Sequence, residues 1–170
     1  MATKVFSQQP DNINFLSPVG FKFNIETLPQ TNWFLTSVNL PGISLAEIVQ
    51  PTQLMQAQVP GNDLVFDPLT ITFLVDENLN NWRELYDWMI GLGFPNEYNE
   101  YKAYKASKGI YSDATLSILN SNMNVNYIML FKDLFPTSIS EVAFDSASAD
   151  IEGIKATATF RYLTYSYEKV

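Results

Sequence analysis

Phe21, Phe23 and Ile25 alternate with Lys22, Asn24 and Glu26, the period of two expected of a strand with one buried face. Pro29 to Asn32 reads as a turn, Trp33 to Leu40 as a second strand, and Pro41-Gly42 as its stop. The clearest alternation sets Leu69, Ile71, Phe73 and Val75 against Thr70, Thr72, Leu74 and Asp76. A change of period follows. Leu79, Trp82, Tyr86 and Met89 recur at three- to four-residue steps, which predicts a helix packed on a sheet through that stripe. Leu85, Trp88 and Leu92 widen its apolar face, Asp76 or Asn78 can cap its start, and Gly91 or Gly93 ends it before Pro95.

Strands resume at Ala114 to Leu119 and Val125 to Phe131, joined by a hairpin loop at 120–124. Leu134 to Thr137 breaks the pattern, Glu141 to Asp145 reads as a short strand, and 146–153 as a polar turn. A long strand then runs from Ile154 to about Tyr167. Its apolar parity shifts from Phe160 and Tyr162 to Leu163, Tyr165 and Tyr167, which predicts a bulge or burial on both faces. The pattern predicts a mainly β (α+β) fold over one domain, 1–170: a β-sandwich or barrel of about six or seven strands with one inserted α-helix. Residues 1–12 are polar and read as a flexible arm.

Residues 43–61 fit neither a core strand nor a polar loop. Their two arms carry Ile43, Leu45, Ile48, Val49, Leu54, Met55 and Val59, with Glu47 as the lone charge. They form either a projecting hairpin that needs a partner to cover it or a segment folded back on its own core.

Composition narrows the chemistry. Ten Lys and Arg against eighteen Asp and Glu leave a net charge of −8, which disfavours winding onto nucleic acid. With no Cys there are no disulfides or thiolate ligands; with no His, the commonest general base is missing. No Gly-rich phosphate loop and no nucleophile elbow is present, so no catalytic residue, metal site or cofactor is assigned. The segment 145–152 resembles a calcium loop only superficially, since Ala147 and Ala149 stand where oxygen ligands are needed. Lys102, Lys105 and Lys108 alternate with Tyr101 and Tyr104, but Glu97 and Glu100 beside them favour a solvated helical turn over a single-strand binding site. The longest apolar run, Tyr127 to Phe131, is too short for a membrane anchor.

Several stretches together resemble the tail-tube proteins of contractile-tailed, T-even-like bacteriophages. The strongest is Asp133-Leu-Phe-Pro-Thr-Ser-Ile-Ser-Glu-Val-Ala-Phe-Asp-Ser146, similar to the family's aromatic-Pro-Thr step followed by a strand ending in Asp. Val59 to Asp67, Leu69 to Phe73, Asp76-Glu77, Asp87-Trp88, Asn99 to Lys105 and the Tyr-rich end of 154–168 follow in the family's order. The likeness covers most of 59–168, while 1–58 match only in strand and turn plan.

This resemblance implies a structural virion protein of the inner tail tube and not an enzyme. It implies hexameric rings whose sheets join into a multi-subunit β-barrel, stacked as a conduit for DNA delivery. Its partners would be further copies of itself, the tail sheath, the baseplate and the tail-terminator protein. Genomic DNA would pass through the lumen without specific binding, and assembly would take place in the host cytoplasm. Ile48, Val49, Leu54, Met55 and Val59 are the expected ring-stacking residues. Two alternatives stay open: a tube-end protein of the same fold (head-proximal completion or baseplate initiator), and a monomeric β-sandwich binding module.

Overall fold

Where apolar side chains alternate with polar ones, the computed structural model places strands. It describes residues 14–51, 55–93, 99, 102, 109–144 and 153–170. The predicted arm at 1–12, the connector apart from Asn99 and Lys102, and the 145–152 segment therefore lie outside the described residues.

Seven strands form one connected antiparallel sheet: β1 (Phe21–Ile25), β2 (Leu35–Val38), β5 (Leu69–Leu74), β6 (Ser112–Leu119), β7 (Val125–Ile139), β8 (Lys155–Arg161) and β9 (Thr164–Lys169). Between β2 and β5 stand β3 (Ile43–Pro51) and β4 (Gln56–Phe66), a separate two-stranded hairpin. The helices α1 (Pro29–Trp33) and α2 (Asn80–Gly93) accompany them.

The long strand β7 organises the sheet. Its first part pairs with β6 on one side and β9 on the other, while Phe135 to Ile139 pair with β8. One group of strands, β1-β6-β7-β9, thus passes into a second, β7-β8-β5-β2. Strands commonly change sheets at bulges. Here the register slips between Ala114 and Ser112 opposite β7, where Asp133 takes φ 55°, and again between Pro136 and Ser138. Asp tolerates that left-handed conformation better than most residues, and a bulge also tolerates a proline that donates no ladder bond. The predicted break at Leu134 to Thr137 is therefore a bend within one strand. The closing strand makes the same transfer: β8 runs with β5, the chain interrupts at Tyr162-Leu163, and β9 continues beside β7.

Phe23 and Ile25, Leu69, Ile71 and Phe73, Ala114 and Leu116, Phe131 and Leu134, and Ala156, Ala158 and Phe160 form one core with Leu28, Leu85 and Trp88. Large and small alternate across it. Ile71 faces Ala158 and Phe73 faces Ala156 in the β5–β8 ladder, and Trp88 lies 6.3 Å from Phe160.

Four local expectations are corrected. Pro29 to Asn32 is not a turn but the start of α1, with proline at the position whose missing N–H costs nothing. Trp33 ends that helix, so the second strand shrinks to Leu35–Val38. Glu141 to Phe144 form no strand. In α2 the buried residues are Asn81, Leu85, Trp88 and Gly91, whereas Leu79 and Tyr86 are exposed. Leu79, at φ 57°, precedes the helix altogether. Trp82 and Met89 are half-buried, Trp82 against the core and stacked on Tyr86 at 5.3 Å. The apolar stripe misses the buried face because a polar residue occupies its first turn. Asn81 accepts from the N–H groups of Asp76 and Trp82 and donates to the Leu74 carbonyl at 2.7 Å, tying the helix to the end of β5.

Candidate assembly surface

In the hairpin the alternation fails to bury anything. Ile43 opposes Phe66, Leu45 opposes Leu64, and, after a register shift, Ile48 opposes Val59 and Pro51 opposes Gln56. The shift lies where Gly61 passes Ala46 so closely that a Cβ would stand 2.7 Å from the Ala46 carbonyl oxygen. Directly opposed residues share a face. One face thus carries Ile43, Leu45, Leu64, Phe66 and Val49, and the other Val65, Ile48, Val59 and Ala57. Of the five residues expected to stack, Ile48 (56% exposed), Val49 (48%), Met55 (69%) and Val59 (40%) stand in solvent, and Leu54 lies outside the described residues. Pattern reading took the hairpin to end at Gly61 and so missed Leu64 and Val65, both also exposed.

The root of the hairpin is tied down. The Asp67 N–H donates to the Gly42 carbonyl at 3.0 Å. Three side chains from the β8–β9 corner reach the same place. Arg161 Nη1 donates to the Phe66 carbonyl (3.1 Å), Tyr162 Oη to the Asp67 carbonyl (2.8 Å) and Tyr165 Oη to the Pro41 carbonyl (3.3 Å). The Phe66 ring joins a cluster with Tyr162, Tyr165 and Phe131 at centroid distances of 5.2–6.0 Å. Burial pushes the Tyr162 phenol up to about 12; Tyr165 and Asp67 add to the shift and Arg161 opposes it. None of these root residues was singled out for the surface from sequence. The parity shift at Tyr162-Leu163 was their only signal.

Two other features stand on the exterior of the fold. Trp33 is 87% exposed beside a groove lined by Val19, Phe21 and Leu35, between the edge strands β1 and β2. A 540 Å³ cleft gathers Glu26, Glu84, Asp113 and Asp133. Among the described residues no group of three or more His, Cys, Asp or Glu could hold a metal ion, and no helix is long and apolar enough to cross a membrane.

An uncovered apolar hairpin on a sheet with open edges is a surface made for assembly. The sequence model of the phage tail tube protein family matches residues 8–168. The chain belongs to the phage tail tube protein family. It is 32% identical over 137 residues to the tail tube terminator protein of Enterobacteria phage T4, across 78% of this chain and 76% of that protein. Its fold is similar to the tube-terminating cap of the anti-feeding prophage (TM-score 0.65, 17% identity, 98% and 99% of the two chains). It is also similar to a chain of the sheath–tube complex of the PVC extracellular contractile injection system in its extended state (0.64, 19%, 93% and 95%). The sheath/tube terminator structure of that system matches as well (0.63, 19%, 92% and 99%). This tail tube family member is thus a structural protein of a phage tail or a virion-like injection system, with a mainly β fold similar to tube and cap structures.

Proposed function

We propose that this chain closes the end of a phage tail tube, as a ring of copies seated on the last ring of tube subunits. The kinship with the T4 tail tube terminator is the observation that carries this reading over the repeating tube subunit favoured by sequence pattern. A repeating subunit needs two complementary ring faces, because only heterologous contacts that never close extend a filament. An end protein needs one. The β3–β4 hairpin supplies that contact by inserting both of its sides, Ile48 and Val59 from one and Val49 from the other, with Met55 and, assigned from sequence, Leu54.

Within the ring, the open edges of the sheet join neighbouring copies, six in number by the family resemblance. The sheath, the tube subunit and, through the tube, the baseplate are the partners. The net charge of −8 suits a ring through which DNA slides without sticking.

Negative-stain electron microscopy tests the reading. The purified chain alone is expected to give rings and no filaments, and its addition to growing tubes is expected to stop elongation. Long tubes from the chain alone would restore the repeating-subunit reading. A monomer that never binds tube ends would sink both.

A further inference from the structure

The hairpin leaves the body at Pro41-Gly42 and returns at Phe66-Asp67, and four carbonyls at that root, those of Pro41, Gly42, Phe66 and Asp67, each accept a hydrogen bond. Three of the four donors are side chains of the corner where the closing strand crosses from β8 to β9. They come from 95, 95 and 124 residues away in the chain. Resting on the assembly reading above, we infer that Arg161, Tyr162 and Tyr165 are positioning residues that set the direction in which the hairpin projects toward the neighbouring ring.

Leverage makes the root decisive. A nine-residue arm at strand rise is about 30 Å long, so a swing of about 10° at the root moves its far end by about 5 Å. A displacement of that size removes side chains from the pockets they fill, since packing is lost over fractions of an ångström. The Phe66 ring, held against Tyr162 and Tyr165, which themselves pack on Phe131, resists rotation about the arm.

The test compares the Tyr162→Phe/Tyr165→Phe double variant with Ile48→Asp in the full chain. Phenylalanine keeps the rings and deletes the two hydroxyl donors. Hydrogen exchange of the β3–β4 amides is the readout that a merely structural role would not single out. The double variant is expected to speed exchange in the hairpin while β5, β6 and β8 exchange as before. Its binding to tails purified without this chain should weaken about thirtyfold, the change that two lost hydrogen bonds of ordinary strength correspond to. Unchanged hairpin exchange with wild-type binding would overturn the inference, provided Ile48→Asp abolishes binding. If Ile48→Asp binds normally too, the hairpin is not the stacking surface, and the assembly reading and this inference fall together. Arg161→Met, which keeps the alkyl stem and removes the guanidinium bond to Phe66, should shift the same two readouts in the same direction.

Discussion

β5 and β3, separated in sequence by β4, have comparable shares of apolar residues, and they end in opposite places. In β5 every second residue is buried, with Leu69, Ile71 and Phe73 wholly inaccessible and Thr70 and Thr72 only partly so. In β3 all nine residues are exposed, Ile43, Leu45, Ile48 and Val49 among them. What separates them is a partner. β5 has β8 and β2 at its edges and Trp88 and Phe160 in the core beside it, whereas β3 has only β4. An apolar strand without a core to face is tolerable when another surface covers it, and costly otherwise. On the proposed assembly reading, the body of this molecule is organised for folding and the hairpin for association.

The sharpest way to break that comparison is to injure each region separately. Trp88→Ala should cost about 3–5 kcal/mol in urea unfolding of the unassembled chain, as large core truncations do. Ile48→Asp should stay within about 0.5 kcal/mol in the same experiment, the range of ordinary surface changes. If Ile48→Asp proved as damaging as Trp88→Ala, the hairpin would be packed in solution and the contrast would fail.

Asn81→Leu comes next. It keeps the branching at Cγ and removes the acceptor for two N–H groups and the donor to the Leu74 carbonyl. A buried polar group left unpaired costs about 1–3 kcal/mol, so a loss of about 2–3 kcal/mol is expected by denaturant unfolding, with no change in tube binding. A loss below that of a surface mutation would mean that water replaces the side chain at the junction.

Much of the body was legible because β1, β5 and β6 each show one face to the core, and alternation records that. Parity records less where the chain bends. The bulges at Asp133 and Thr137 made β7 look broken, although the parity shift at Tyr162-Leu163 did mark the corner into β9. Five-residue α1 is too short to carry a period, and α2 was rotated out of phase by a core-facing asparagine. The hairpin announced itself by apolar arms with almost no charge. Its root stayed hidden, since nothing local in Phe66-Asp67 points to hydrogen-bond donors 95 residues away. Tube-subunit and tube-end structures are both similar to this fold, so the family resemblance that implied the tube subunit did not separate the two.

A smaller effect belongs to Gly61. An added Cβ would meet the Ala46 carbonyl oxygen at 2.7 Å, and the obstacle is backbone, which cannot swing aside. Gly61→Ala should therefore open the β3–β4 ladder locally, seen as faster amide exchange at Ala46 and Glu47, while global stability changes by at most about 1 kcal/mol. Unaltered exchange there would show that the arms separate without strain, making the hairpin softer than its register implies.

The smallest effect lies at the seam between the two regions and appears only in alkali. Tyr162 is held protonated to about 12 by burial first, with Tyr165 and Asp67 adding and Arg161 opposing, while an unfolded tyrosine ionises near 10. The folded chain thus keeps a proton that the unfolded chain gives up. A group of this kind contributes stability that is complete below pH 10 and is lost as pH rises through 12. Thermal midpoints of the wild type and Tyr162→Phe, followed from pH 8 to 12, should differ most at the low end and converge toward the high end. A gap that stayed constant with pH would mean that the Tyr162 hydroxyl ionises as freely at the hairpin root as in the unfolded chain. The bond to the Asp67 carbonyl would then be too loose to aim the hairpin.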